Sequence, residues 1–275
     1  MLSKSAALCG FLLAASCRSP NENPLASSQP AAAPSQPAAA LGPAAPAPAR
    51  SDPAPPRVTP LETAAPTPSG SGRAARAHSV LVVGDSLSDP RVGGGRFLRA
   101  VTEACPATTV DNHARGGFMV NQMRRRFEAE LGPRLPGGYT DLLVFGGVND
   151  LYSDETAGRS VDKIQRDLGA LYAAGRAHGL RVIAFTVAPW GGFSRYFTER
   201  RARTTEQLNA WIAEQREQGK VDVVVDAYAL LSCGDPERLC PKFEAPRADG
   251  LHFGPLGHAR LGEELLKQAF ADCAR

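Results

Sequence analysis

Five short apolar runs alternate with helix-like patterns along residues 78–275, and this alternation restricts the fold more than any other feature. Strands that alternate with helices form a parallel sheet covered on both faces. We therefore predict an α/β fold, a flavodoxin-like three-layer α/β/α sandwich with a five-stranded parallel sheet. The predicted strands are Ser79–Gly84, Thr108–Asn112, Asp141–Gly146, Leu180–Val187 and Val221–Asp226. The predicted helices are Arg96–Cys105, Val120–Leu131, Val161–His178, Glu199–Gln218 and Pro255–Cys273.

The first 77 residues predict export and a tether rather than a second folded domain. Residues 1–17 have a lysine near the start, an apolar stretch and small residues before Cys17, as in a secretory signal. Their last four residues, AASC, resemble a bacterial lipobox without its usual leucine, so we expect a lipid anchor at Cys17 in the cell envelope. A soluble periplasmic or secreted protein is the alternative. Residues 18–77 contain 14 of the 23 prolines and no aromatic residue, and we predict a disordered linker there.

The charge of the chain bears on nucleic-acid and membrane partners, and its cysteines bear on metal sites and disulfides. The net charge of +3 is small and spread along the chain, so neither nucleic acid nor an anionic surface is required as a partner. We expect a monomer that contacts a membrane only through the lipid. The four cysteines beyond the signal lack the spacing of a metal site, so we expect no metal. We expect these cysteines to form disulfides. Cys233 and Cys240 bracket a turn-rich loop and are expected to pair, which leaves Cys105 with Cys273.

Polar residues follow the predicted strands, and ligands of such sheets bind at the carboxyl ends of the strands. Ser86 follows the first strand, and Gly116 and Gly117 follow the second. Asn149 follows the third, and the stretch Asp249–His252 precedes the last helix. We expect these loops to meet at one edge of the sheet.

These residue types suit acyl transfer. A serine hydroxyl becomes a nucleophile when a base removes its proton, and histidine is the base best matched to neutral pH. Asp249 lies three residues before His252, close enough on a tight loop to orient the imidazole. A glycine amide and the Asn149 side chain could stabilise the negative oxygen of a tetrahedral intermediate.

The four blocks are similar to the signature blocks of the SGNH/GDSL hydrolase superfamily, in the usual order. They are GDSL at Gly84–Leu87, the glycine after strand two, GGVND at Gly146–Asp150 and DGLHFGPLGHARL at Asp249–Leu261. The resemblance implies the SGNH hydrolase fold and no cofactor.

The resemblance also implies a role for individual residues. Ser86 would be the nucleophile, His252 the base and Asp249 its orienting carboxylate. The oxyanion hole would comprise the Ser86 amide, the Asn149 side chain and the Gly117 amide. Gly117 is preferred to Gly116 because the family glycine commonly follows the asparagine that ends strand two by five residues.

Several features keep other interpretations open. The aromatic-rich segment after the fourth strand has two equally favoured interpretations. Trp190 and Phe193 bind substrate, or the segment forms a hydrophobic cluster. We expect an exported serine esterase that removes acetyl or other short acyl groups from a carbohydrate or another extracytoplasmic ester. A lipase or thioesterase and a non-catalytic glycan-binding protein are alternatives. A nucleotide-binding protein is disfavoured because neither GxxxxGK[ST] nor GxGxxG occurs at the first turn.

Overall fold

The structure is a computed structural model that describes residues 76–135 and 137–273. Five parallel strands form its central sheet: β1 (Ser79–Gly84), β2 (Thr109–Asn112), β3 (Asp141–Phe145), β4 (Arg181–Phe185) and β5 (Val223–Val225). Their order is β2-β1-β3-β4-β5, the flavodoxin-like order. The predicted fold class is therefore confirmed.

Helices cover both faces of this sheet. In chain order they are α1 (Leu98–Ala104), α2 (Val120–Arg126), α3 (Val148–Tyr152), α4 (Val161–Ala177), α5 (Glu199–Glu217), α6 (Ala227–Leu231), α7 (Pro241–Glu244) and α8 (Pro255–Ala269). A short antiparallel hairpin, β6 (Ser232–Cys233) and β7 (Asp235–Leu239), lies between α6 and α7. The sequence analysis did not predict α3, α6, α7 or the hairpin, because each is too short to show a hydrophobic period.

Strand β1 shows why the first apolar run is nearly continuous. Val80 and Val82 point to one face, where they pack in a core that includes residues of α1 and α8. Leu81 and Val83 point to the other face, into a core that includes residues of α2, α4 and α5. All four side chains are buried, so both faces of the strand require apolar residues.

Both expected disulfides are formed. Cys105 at the end of α1 pairs with Cys273 after α8, and their Cα atoms are 5.6 Å apart. The pairing is possible because α1 and α8 pack against each other on the same face of the sheet. Cys233 pairs with Cys240 across the hairpin. Two disulfides are typical of a protein that folds outside the reducing cytoplasm.

The ends of several elements differ from the prediction. The predicted helix Val120–Leu131 is α-helical only to Arg126, and Phe127–Leu131 form a π-helical turn. The spacing of apolar residues continues through this turn, so the sequence pattern did not reveal the change. Pro133 then lacks the N–H needed to extend a helix. The last helix ends at Ala269, and β4 and β5 are shorter than predicted.

Two predicted features lie outside the described residues, namely the signal that ends at Cys17 and nearly all of the linker, residues 18–75. Within the described ranges, no helix combines the length and the apolar character needed to cross a membrane.

Candidate active site

A tight turn after β1 presents Ser86. Gly84 ends the strand, and a Cβ atom there would lie 2.8 Å from the Phe145 carbonyl oxygen of β3. Asp85 Oδ1 accepts a hydrogen bond from the Leu87 N–H at 3.0 Å, which stabilises the turn. Ser86 is half-buried while its neighbours Asp85 and Leu87 are buried. The turn therefore exposes one hydroxyl at the carboxyl edge of the sheet.

The loop before α8 brings a histidine to this hydroxyl. Ser86 Oγ lies 2.9 Å from His252 Nε2, and His252 Nδ1 lies 2.8 Å from Asp249 Oδ2. Because a carboxylate only accepts hydrogen bonds, Nδ1 carries the proton and Nε2 is left to accept from the serine. Residues 166 positions apart thus form one Ser–His–Asp chain, an arrangement that can move a proton from Ser86 to His252.

Hydrogen bonds keep Asp249 ionised beside the histidine. Partial burial alone would raise its pKa. The backbone N–H and side chain of His252 and the N–H of Leu251 donate to the carboxylate, and together they lower its pKa below the usual value. Asp249 Oδ1 accepts the two backbone bonds, which leaves Oδ2 to orient the imidazole.

Two glycines allow a second loop to lie against the Asp249–His252 loop. Gly250 has a φ of +75°, and a Cβ there would lie 1.8 Å from the Gly192 carbonyl carbon. A Cβ on Gly192 would lie 2.6 Å from Gly250 Cα. The backbones touch, so the aromatic-rich segment after β4 is fixed next to the histidine loop.

Asn149 lies in the first turn of α3, close to the segment after β2. Its side chain is buried, and Nδ2 donates to the Phe118 carbonyl oxygen at 2.9 Å. An amide nitrogen carries two hydrogens, so a second donor remains on Asn149.

The two candidate glycine amides differ in their partners. The Gly116 N–H donates to Asp89 Oδ2 at 2.8 Å. Gly117 has a φ of +78°, and its N–H has no acceptor within residues 76–135 and 137–273. The Ser86 N–H also has no acceptor among the described residues. Of the two glycines, therefore, Gly117 has the amide that is free to bind a substrate oxygen.

The structure separates the two predicted substrate-binding aromatic residues. Trp190 is fully buried, its Nε1 donates to Thr205 Oγ1 at 3.0 Å, and its ring packs on Phe197. The expectation that Trp190 contacts substrate is not met, because its ring belongs to the core. Phe193 is only half-buried and follows Gly192 beside the histidine loop.

Two tyrosines join Phe193: Tyr196 belongs to the same aromatic-rich segment, whereas Tyr152 was not among the predicted site residues. We call Tyr152, Phe193 and Tyr196 the aromatic wall; their ring centroids are 4.7–5.9 Å apart. Burial first, and then the charge of Asp85, raises the pKa of Tyr152. Tyr152 ends α3, a helix that was not predicted, so its position could not be derived from the sequence.

The other histidines have partners that the spacing along the chain did not predict. His78 lies between Asp141 and Asp272 at the amino edge of the sheet, at 2.9 and 3.3 Å. His113 contacts Asp111 at 2.8 Å. The hydrogen bonds of neither ring include a serine or cysteine. His258 is buried against Phe97 and Phe253, and burial lowers its pKa to about 4, as a structural residue requires.

Other buried carboxylates support the site. Asp150 Oδ2 accepts from the Val120 N–H at 2.8 Å and Oδ1 from Arg159 Nε at 2.7 Å, so this carboxylate fixes the start of α2. Asp89 is also buried, and the sequence analysis did not single it out. Within the described ranges, no group of three or more His, Cys, Asp or Glu side chains is arranged to hold a metal ion.

Comparison with known proteins agrees with this architecture. The sequence model of the GDSL-like lipase/acylhydrolase family matches residues 82–260. No curated protein sequence matches the chain.

Solved structures are similar at low sequence identity. A GDSL-like lipase from Bacteroides thetaiotaomicron is 18% identical with a TM-score of 0.57, over 70% of this chain and 87% of that one. A lipolytic protein of the G-D-S-L family from Veillonella parvula is 16% identical with a TM-score of 0.57, over 71% and 99%. An acetylxylan esterase from Geobacillus stearothermophilus is 16% identical with a TM-score of 0.56, over 74% and 99%.

The carboxyl group next to the nucleophile yields a pH-dependent prediction. Asp85 is fully buried and its Oδ2 has no partner among the described residues. Burial, opposed by the Leu87 N–H and reinforced by Asp150, raises its pKa to about 7. Between the unfolded value of 3.8 and this folded value, only the folded chain holds the proton. The free energy of unfolding contributed by this group therefore falls as pH rises through that window.

Asp85→Asn should remove this contribution. Between pH 5 and pH 8 the parent should lose about 2–3 kcal/mol of unfolding free energy that the variant keeps. Urea unfolding of both proteins at the two pH values measures the difference, and the comparison cancels the opposite trend expected from His258. Equal pH dependence in the two proteins would show that Asp85 does not titrate in this range.

Proposed function

The chain belongs to the GDSL-like lipase/acylhydrolase family of hydrolases, and from this membership and the geometry of the site we propose that it is a serine ester hydrolase. One observation carries the proposal: the unbroken hydrogen-bonded chain from Ser86 through His252 to Asp249. A non-catalytic glycan-binding protein has no need of this chain.

The proposed reaction has two similar halves. Ser86 Oγ attacks the ester carbonyl carbon and its proton moves to His252 Nε2. When the tetrahedral intermediate collapses, the bond to the leaving alcohol breaks and the alcohol takes that proton. Water then attacks the acyl-enzyme and gives a proton to His252. When this second intermediate collapses, the bond to Ser86 Oγ breaks, Oγ takes that proton and the acid is released. Asp249 stabilises the imidazolium in both halves.

Three donors are proposed to stabilise the negative oxygen of each intermediate. They are the N–H of Ser86, the N–H of Gly117 and the second hydrogen of Asn149 Nδ2. Support comes from the lack of an acceptor for the two backbone amides among the described residues. The bond from Asn149 to Phe118 adds to this, because it fixes the side chain next to Gly117.

We propose an acetyl or other short acyl ester on a carbohydrate as the substrate. The aromatic wall supports this, since half-buried aromatic faces suit sugar rings and Phe193 follows the glycine that touches the His252 loop. The fold is also that of an acetylxylan esterase. Acyl chains pack on aromatic rings as well, so a lipase or thioesterase is the second candidate.

The site of action is proposed to be the cell envelope. The two disulfides agree with folding outside the cytoplasm. The lipobox-like AASC sequence supports a lipid on Cys17, which would anchor the enzyme without a membrane-spanning helix.

Replacing Ser86 with Ala should abolish hydrolysis of p-nitrophenyl acetate, because no other hydroxyl among the described residues is hydrogen-bonded to His252. Asn149→Ala should lower kcat by about 10²–10³ through loss of one oxyanion donor. Ser88→Ala is the matched control: this serine lies in the same turn, and its buried Oγ has no partner among the described residues. Turnover at the parent rate by the Ser86 variant would show that Ser86 is not the nucleophile. Failure of a fluorophosphonate to label the folded parent would favour the alternative of a non-catalytic binding protein.

Phe193→Ala should distinguish the substrate classes. If Phe193 stacks on a sugar ring, kcat/KM for acetylated xylo-oligosaccharides should fall about 3- to 10-fold while that for ethyl acetate stays within about twofold. Phe197→Leu, in the same segment but packed on Trp190, is the control. A changed preference among acyl chain lengths would favour the lipase or thioesterase instead, and no change for any ester would make the wall purely structural.

Cys17→Ser should move the expressed protein from the detergent phase to the aqueous phase on Triton X-114 partition, since the proposed lipid is attached to that thiol. Cys9→Ser changes the other cysteine of the same signal and should leave the protein in the detergent phase. Detergent partition of the Cys17 variant would contradict the anchor and leave the hydrolase unaffected.

A further inference from the structure

Asp89 connects the nucleophile turn to the segment that carries Gly117. It lies three residues after Ser86 and is 2% exposed. Its Oδ2 accepts the Gly116 N–H at 2.8 Å and Arg91 Nη2 at 2.7 Å. Its Oδ1 accepts the backbone N–H of Arg91 at 3.0 Å and Arg91 Nε at 2.8 Å. Both oxygens are thus fully engaged, and one bond crosses from the loop after β1 to the loop after β2.

Arg91 strengthens this connection. Its guanidinium binds Asp89 through two nitrogens, and Nη2 also donates to the Ala114 carbonyl oxygen at 2.9 Å. Because a bidentate pair fixes both partners in direction as well as distance, Asp89 and Arg91 act as one rigid unit. The unit contacts the segment at two points, Ala114 and Gly116.

The Gly117 N–H lies between two fixed stretches of backbone. On the amino side, Asp89 holds the N–H of Gly116. On the carboxyl side, Asn149 holds the carbonyl of Phe118 and Asp150 holds the N–H of Val120. Gly117 itself has a positive φ and open space around the position of a Cβ, so no packing fixes it. The direction of its N–H is therefore set by the bonds of its neighbours.

We propose that Asp89 is a positioning residue for the oxyanion hole, which holds the Gly117 amide in the direction that the intermediate requires by binding the adjacent Gly116 N–H. The proposal rests on the proposed ester hydrolysis. Both carboxylate oxygens of Asp89 are engaged by Arg91 and the Gly116 N–H, so its effect on Gly117 passes through the backbone.

Such positioning matters because an oxyanion donor acts only at hydrogen-bond distance from the developing charge. Donors that are fixed beforehand need no rearrangement as the intermediate forms, and a misplacement of about 1 Å can cost as much as 10²-fold in rate. Loss of the Asp89 bond leaves the amide present but less well directed. We therefore expect a smaller fall in kcat than the removal of an oxyanion donor would cause.

Asp89→Asn tests the proposal, with p-nitrophenyl acetate as the probe. Asparagine keeps the shape but turns an N–H₂ group toward Arg91 or Gly116, so kcat should fall about 10-fold or more while KM stays within about threefold. Asp141→Asn is the matched control. Asp141 is also buried and bound to an arginine, Arg181, at 2.6 Å, but it lies at the opposite edge of the sheet. Both variants lose stability, and only the first should lose kcat per folded molecule.

Arg91→Ala supplies a milder change at a half-exposed residue in case Asp89→Asn does not fold. It leaves the bond to Gly116 and removes the support of Asp89, so kcat should fall several-fold with KM again little changed. Parent-like kcat in folded Asp89→Asn would overturn the proposal. If Asp89→Asn does not fold, parent-like kcat in Arg91→Ala would overturn it.

Hydrogen–deuterium exchange separates this proposal from the proposed function, because it needs no substrate. Exchange of the peptide spanning residues 113–119 should be faster in Asp89→Asn than in the parent and unchanged in Asp141→Asn. If the parent is inactive but shows this exchange pattern, the proposed ester hydrolysis is wrong and the role of Asp89 in fixing the loop still holds. Unchanged exchange in Asp89→Asn would refute the positioning role whatever the activity.

Discussion

The parallel pairing of β1 with β2 and β3 is the interaction on which the rest of the structure depends. Parallel strands end at the same edge, so the residues that follow them are brought together whatever their separation along the chain. Ser86, Gly117 and Asn149 each follow one of these three strands. A one-residue slip of β1 would exchange its two buried faces, and the apolar residues on both sides resist this because each core accepts a particular set.

The fold was predictable because β1, β3 and β4 are buried on both faces and helical segments separate the strands, which leaves a clear pattern in the sequence. The Ser86, His252 and Asp249 grouping followed from residue types and spacing. The burial of Trp190 and the position of Tyr152 could not follow, because they depend on how an unpredicted short helix and an irregular loop pack. The choice between Gly116 and Gly117 depended on Asp89, whose partner is 27 residues away.

Carboxylates fix the backbone of the loops around the site. Asp89, Asp150 and Asp249 all accept backbone N–H groups from loops that carry proposed donors or the base. Each lies beside a cation or imidazole, which opposes the cost of burial. Asp85 is the exception, since it has no such partner. Carboxylates therefore accept the backbone N–H groups of these irregular segments, as carbonyl oxygens accept those of neighbouring strands.

A bridge between Arg76 and Cys273 joins the two ends of the described chain. Arg76 donates its N–H to the Asp272 carbonyl oxygen three residues before β1 begins, and Ser86 lies beyond the far end of that strand. Six residues of strand span about 20 Å. Arg76 therefore lies at the edge of the sheet opposite Ser86, with the length of β1 between them.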